Sequence, residues 1–258
     1  MCRPVRSGAS LKKKSRRPHA AGKKSAQREF GLKKRIEDIK KRINAAARTS
    51  QRDDSDIRLV AAAKTMSVET VRTAIENGID VIGENYIQEA RQKYEALKET
   101  GVSWHFIGHL QSNKAKYAVG IFDLIHSVDS VKLAAQLDKE AGKAGQIQKI
   151  LIQINLDGEA SKSGVSPEDA LCVAREIAGF KHVSIRGLMT MPRFFDDPDR
   201  ARPFFSALFR LKETLAAEQI PGVWMEELSM GMTGDFEAAI QEGATLVRVG
   251  TAIFGKRK

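Results

Sequence analysis

The sequence predicts an α/β fold, a single (β/α)8 TIM barrel, and three observations carry that prediction. Short β-rich runs alternate with helical patterns eight times along the 258 residues. Most of these runs are apolar without a break, as in Leu59-Val60-Ala61-Ala62-Ala63 and Ile150-Leu151-Ile152. Parallel strands buried on both faces read this way, whereas half-exposed strands alternate. The residues with chemistry to offer cluster just after the runs, where a barrel builds its sites. The rival architecture, an open doubly wound sheet, announces itself by a GxGxxG after the first strand, and none follows here.

The elements follow in order. Residues 1–30 read as a disordered basic tail and residues 31–258 as the barrel domain. The first 28 residues hold ten Lys and Arg and no acid, so they cannot bury enough apolar surface to offset their ordering entropy. The rest of the chain is nearly neutral, with 33 basic and 32 acidic residues. The formal charge of +11 is therefore a property of the tail, and the body is not a specific nucleic-acid binder on charge. Leu32, Ile36, Ile39 and Ile43 recur at helical spacing and predict an extra N-terminal helix over 32–48. Strand runs are then expected at 58–63, 81–83, 104–107, 122–126, 149–155, 184–188, 225–228 and 245–249. Helices are expected near 67–77, 85–97, 112–119, 130–144, 167–178, 199–218 and 233–242. Ser166 and Pro167 open one of these, while Gly78 and Gly243 close two others.

Composition narrows the class further. Hydrophobic residues make up 42% of the chain, enough for a packed core. No apolar run reaches the roughly 18–20 residues that span a bilayer. Cys2 and Cys172 cannot build a disulfide framework, which points to the reducing cytoplasm.

Lys64 directly follows the first apolar run. A lysine at the mouth of an apolar barrel is partly desolvated, which disfavours its ammonium form and leaves an amine able to attack a carbonyl. A lysine that merely reaches out to solvent is the plainer reading of this residue alone. The loops after the seventh and eighth runs change the balance. Ser229-Met230-Gly231-Met232-Thr233 and Arg248-Val249-Gly250-Thr251 supply hydroxyls, glycines and a guanidinium. Glycines let backbone N–H groups approach an anion, and barrels often hold phosphate with these two loops. A carbonyl-reactive lysine and a phosphate cradle on one face are what pyridoxal 5′-phosphate (PLP) requires. His105 and His109 cross from strand to loop and do not make a metal motif. His105 and His126 are expected to pack at strand ends. Met189, Met191, Met230 and Met232 are expected to pack around the pocket. Glu84 fits either an acid/base group or a helix N-terminal charge.

LVAAAKT, GENYIQEA, WHFIGHLQSNK, HSVD, INLDGEASKSG, GLMTM, LSMGMTGDFEAAI and VRVGTAIFG, in this order, resemble the YggS/PROSC family of pyridoxal phosphate homeostasis proteins. The resemblance runs through about residues 32–255. It implies a barrel like the N-terminal domain of alanine racemase, the PLP fold type III. It implies PLP as a Schiff base on Lys64, with Asn85 lining the cofactor. It implies phosphate held by Ser229, the Gly231 or Met232 backbone, Gly250 and Thr251. Arg248 would contact either the ring or the phosphate. Lys162 matches a lysine associated with cofactor transfer or secondary binding. Met66 stands where some members carry a second lysine. The function implied is a carrier that buffers and delivers PLP, with PLP-dependent apoenzymes as recipients, rather than an enzyme. The alternative is a fold-type III enzyme such as an amino-acid racemase, which needs a base on each face of the cofactor. The racemases take the second base from an additional β-domain of the partner subunit; the chain stops three residues after Gly255, so no such domain is expected here, and a monomer is expected.

Overall fold

The computed structural model describes residues 20–159 and 163–255, with side chains from Glu29 onward. Eight strands form one closed parallel barrel: β1 (Arg58–Ala62), β2 (Val81–Glu84), β3 (Ser103–Phe106), β4 (Leu124–Val128), β5 (Gln148–Ile154), β6 (Val183–Thr190), β7 (Val223–Ser229) and β8 (Leu246–Val249). The order around the barrel is the order along the chain, and β8 closes on β1 with Val60 opposite Arg248. Each strand lies within two residues of its predicted run.

The unbroken apolar runs have a direct cause. One set of strand side chains, among them Val60, Val81, Ile107, Leu124, Leu151, Met189 and Leu246, fills the barrel interior. The other set, such as Ala61, Ile82, Phe106, Ile125 and Ile152, packs outward under the helices. Neither face meets water, so both are mainly apolar, with Arg248, Ser229, His126 and His105 the buried polar group inside the barrel.

The helices are α1 (Ala20–Thr49), α2 (Val68–Glu76), α3 (Ile87–Leu97), α4 (Ala115–Ala118), α5 (Val131–Lys143), α6 (Ala170–Ala178), α7 (Arg202–Ala217), α8 (Phe236–Gln241) and α9 (Thr251–Phe254). Ser67 and Ser130 cap α2 and α5 by accepting from the Thr70 and Leu133 amides, at the starts their sequence predicts. The Ser166 hydroxyl accepts from Asp169 N at 3.1 Å, but the segment after it is a turn, and α6 begins only at Ala170. Gly78 and Gly243 end α2 and α8 with φ of 84° and 100°, where a side chain would be strained.

α1 starts twelve residues ahead of the predicted helix. Its apolar stripe does begin at Leu32, and Leu32, Ile36, Ile39, Ile43 and Ala47 are all buried. The turns ahead of it hold mostly Ala, Lys, Gln, Arg and Glu, good helix formers that extend a helix already nucleated by packing. Residues 20–30, assigned to the tail from sequence, are thus the first turns of α1. Residues 1–19 lie outside the described residues. α1 packs across α8 and α9. Arg42 pairs with Glu237 at 2.5 Å, and Arg52 donates to the Ile240 and Ala244 carbonyls at 2.8 and 2.7 Å.

The strand register slips between Ile185 and Gly187, where β6 meets both of its neighbours. Gly187 has φ 149°, and a Cβ there would collide with the Glu227 carbonyl of β7. Gly187→Ala should therefore destabilise the barrel by at least the roughly 1–3 kcal/mol typical of overpacking. Thermal unfolding of the variant against the parent checks this, and an unchanged midpoint would contradict the close approach.

Candidate functional site

Lys64 leaves the end of β1 in a short, braced turn. On one side, Lys93 of α3 donates to the Ala63 carbonyl at 2.8 Å. On the other, the Thr65 amide donates to Glu89 Oε2 at 2.8 Å. Lys93 also bonds Glu84 Oε1 at 2.7 Å and reaches Glu89 Oε2 at 3.4 Å. One buried lysine and two glutamates thus grip the backbone on both sides of Lys64. The grip is needed, because Thr65 has φ 66°, an unfavourable conformation for a β-branched residue. Desolvation raises the Glu84 carboxyl above its ordinary range, while the Lys93 hydrogen bond pulls the other way. Glu84 is neither a catalytic acid facing a cleft nor a helix charge in water. It is fully buried and anchors Lys93.

Lys64 and Asn85 share a cavity of about 300 Å³ at the C-terminal mouth of the barrel, with Gly108, His109, Gln153 and Met191 on its wall. Asn85 Oδ1 is buried in the protein and has no hydrogen-bond partner among the described residues. A Cβ on Gly108 would strike the Asn85 backbone, so glycine lets the β3 loop close against it. Sequence reading gave His109 no role. It stands at the rim, with Nδ1 3.6 Å from Asp129 and 3.3 Å from Ser163 Oγ.

The second group of candidates lies on β7 and β8, beside β1. Arg248 is buried inside the barrel and donates to Ser229 Oγ at 2.5 Å and to the Thr190 carbonyl at 2.9 Å. Burial lowers its pKa to about 10, with Asp235 opposing, so it remains a cation at neutral pH. Its amide donates to the Gly231 carbonyl at 3.0 Å, which ties the two glycine loops together. Gly231 has φ 88°, and a Cβ there would press on Phe236 and Ala239 of α8. Gly250 approaches Ala62, two residues before Lys64, with room of only 3.3 Å to the Ala62 carbonyl for a Cβ. Thr251 Oγ1 donates to Thr233 Oγ1 at 3.2 Å at the exposed surface of the same loops.

Two expected donors are already engaged. The Met232 amide donates to Asp235 Oδ1 at 2.6 Å. The Ser229 hydroxyl points into the barrel, between Arg248 and His126 Nδ1 at 2.8 Å. His126 Nε2 in turn meets His105 Nδ1 at 2.9 Å. Burial drives the His105 pKa down to about 3 and that of His126 well below its usual value, so both are neutral. Met189 is interior packing and Met191 lies at the rim, as their sequence context suggests. Lys162 lies outside the described residues. Among the described residues no cluster of three or more His, Cys, Asp or Glu could hold a metal ion, and no helix is long and apolar enough to cross a membrane.

Residues 35–258 match the alanine racemase N-terminal domain family. A pyridoxal phosphate homeostasis protein of Aquifex aeolicus is 42% identical over 224 residues, covering 87% of this chain and 97% of the relative. The chain belongs to the pyridoxal phosphate homeostasis protein family. A family member from Escherichia coli K12 is 36% identical over 85% of this chain and 94% of its own length. PipY of Synechococcus elongatus, whose structure has PLP bound, superposes with a TM-score of 0.75 at 35% identity, covering 87% of this chain and all of that one. Alanine racemase of Clostridium difficile shares the fold at a TM-score of 0.66, with 14% identity over 88% of this chain and 56% of its own.

Two predictions follow from this geometry. Lys93→Met leaves the Glu84 carboxylate buried without its partner, which should cost about 3–5 kcal/mol at pH 7. The loss should shrink as pH falls, because an unpaired Glu84 then folds as the neutral acid. Denaturant titrations at pH 7 and 5 measure both effects, and a pH-independent loss would contradict the network. The second concerns His105 and His126, whose folded pKa values lie below the unfolded value near 6.5. Below that pH the unfolded chain binds protons that the native barrel does not. Stability should therefore fall on acidification below about pH 6.5, by about 1.4 kcal/mol per pH unit for His105 down to about pH 3, with His126 acting in the same direction. His126→Phe should lose its share of this slope.

Proposed function

We propose that the chain binds PLP at the C-terminal mouth of its barrel, through Lys64, and that it buffers and delivers the cofactor without a dedicated reaction. The observation that carries this reading is the cavity shared by Lys64 and Asn85, beside the glycine loop that meets β1 at Gly250. The residues present fit the group. The Asn85 oxygen is a buried acceptor without a partner among the described residues, and the close approach of Gly250 leaves backbone where a side chain would stand. When bound, PLP supplies an aldehyde that condenses with a lysine amine.

The protein's own part is to hold the pieces in place. Lys93, Glu84 and Glu89 fix the turn that presents the Lys64 amine. Asn85 lines the cavity next to it. The Gly231 and Gly250 backbones, with Thr251, form the phosphate side, and Met232 N would join them only by releasing Asp235. Arg248 supplies positive charge from within the barrel, and Ser229 acts on the site through Arg248. Lys162 is a further candidate amine for transfer. A monomer is part of this reading.

A carrier is favoured over a racemase by where the tyrosines stand. Tyr94 packs edge-on against Trp104 at 5.9 Å, Tyr117 lies under the cations of Arg91 and Lys116, and Tyr86 is half exposed at the start of α3. Among the described residues, no tyrosine lines the cavity of Lys64. The recipients on this reading are PLP-dependent apoenzymes, and the cysteine content supports a reducing, cytoplasmic setting.

The test is spectroscopic. Protein loaded with PLP should show a visible absorption band that borohydride removes, leaving the mass of reduced cofactor on the peptide that contains Lys64. Lys64→Ala should lose both signals, and an unchanged spectrum would sink the assignment. Amino-acid racemisation at ordinary enzyme rates, about 1–10³ s⁻¹, would overturn the carrier reading.

A further inference from the structure

A polar chain crosses the inside of the barrel. Arg248 of β8 bonds Ser229 of β7, Ser229 bonds His126 of β4, and His126 bonds His105 of β3, at 2.5, 2.8 and 2.9 Å. None of the four residues is more than 5% exposed. Such a chain in an otherwise apolar interior is costly unless every member is satisfied.

Hydrogen counting assigns each proton. A guanidinium only donates, so Ser229 Oγ accepts from Arg248. The single hydroxyl hydrogen of Ser229 then needs an acceptor, and among the described residues His126 Nδ1 is the one neighbour in place to take it. His126 must therefore carry its proton on Nε2, which donates to His105 Nδ1. By the same logic His105 carries its proton on Nε2. It faces a separate cavity of about 660 Å³ at the N-terminal floor of the barrel. The reverse order would leave the Ser229 hydrogen without an acceptor in a place closed to water. The direction also suits the charge, because every donor in the chain points away from the Arg248 cation.

We propose that His126 and His105 are positioning residues for the cofactor site: as neutral Nε2–H tautomers they turn a Ser229 lone pair toward Arg248 and so hold the guanidinium in place for bound PLP. The proposal rests on the reading of the mouth as a PLP site. The surrounding charges agree with it. Arg248 stands at one end of the chain, with Asp235 acting on it from beyond β7. Arg58 and Lys149 act on His105 at the other end, where Arg58 is paired with Glu227 at 2.5 Å. Cations at both ends oppose a charge on either imidazole.

The experiment uses the full chain. Imidazole ¹⁵N–¹H correlation spectra should show Nε2–H tautomers for both histidines, and an Nδ1–H tautomer on His126 would refute the chain. His126→Phe removes the acceptor of the Ser229 hydrogen and should weaken PLP binding about tenfold. Ser229→Ala should weaken it to a similar degree, and the double variant should be no worse than either single one. His126→Gln, which restores an acceptor, should recover most of the affinity. The affinity ratio of PLP to pyridoxal, measured for each protein, reports whether Arg248 serves the phosphate or the ring. Losses that add fully, or a folded His126→Phe that holds PLP as tightly as the parent, would overturn the positioning role. Should His126→Phe not fold, the tautomers and the His126→Gln affinity still decide. Failure of the site reading itself looks different: PLP would then show no Lys64-dependent adduct in the parent protein.

Discussion

A cation inside a barrel has to be solvated by the barrel. Arg248 stands on β8 among apolar interior residues, and its guanidinium is too far from water to be hydrated in the usual way. The protein answers with a hydroxyl from β7, a carbonyl from β6 and the field of Asp235. Those answers impose further demands. The hydroxyl needs an acceptor, which brings in His126, and His126 needs one as well, which brings in His105. Much of the polar interior is thus accounted for by one buried charge.

A second buried charge, Lys93, organises the β1 side of the mouth. It stands on the buried face of α3, outside the strands, and its three acceptors include the backbone just before Lys64. The two cations do complementary work. Lys93 fixes the chain that carries the nucleophilic amine, and Arg248 places positive charge beside the glycine loops. Between them β1 and β8 are hydrogen-bonded neighbours, with Gly250 touching Ala62, so the two devices share one rigid edge of the barrel.

Much of this was legible in the sequence, for physical reasons. Two-sided burial writes itself as unbroken apolar runs, which is why all eight strands could be placed. Lys64 stood out because a lysine closes an apolar run, and Gly231 and Gly250 because their loops carry hydroxyls and Arg248 after the last two runs. Lys93 did not stand out, since an i,i+4 pair with Glu89 on an amphipathic helix usually lies in water. Its burial depends on Glu84 being fully enclosed beneath α3, a tertiary fact. The partnership of His126 with Ser229 was hidden for the same reason, because 103 residues separate them. The early start of α1 was missed because helix propensity without an apolar stripe leaves no periodic signal.

The β7–β8 seam has a single paired register, Ser229 with Leu246, against four for β8 with β1. Beyond that pair the loops take over, through Met230 N to Leu246 O and Arg248 N to Gly231 O. Outside this seam α8 packs on β8, and α1 crosses α8 and α9. The thinnest joint of the barrel is thereby strapped by a helix that precedes every strand. Its latch is a set of arginines, with Arg35 reaching the Ile253 carbonyl of α9 and Arg52 the carbonyls at the end of α8. A barrel is only as closed as its weakest seam, so the clasp that guards the candidate phosphate loops is fastened from the far side of the wall.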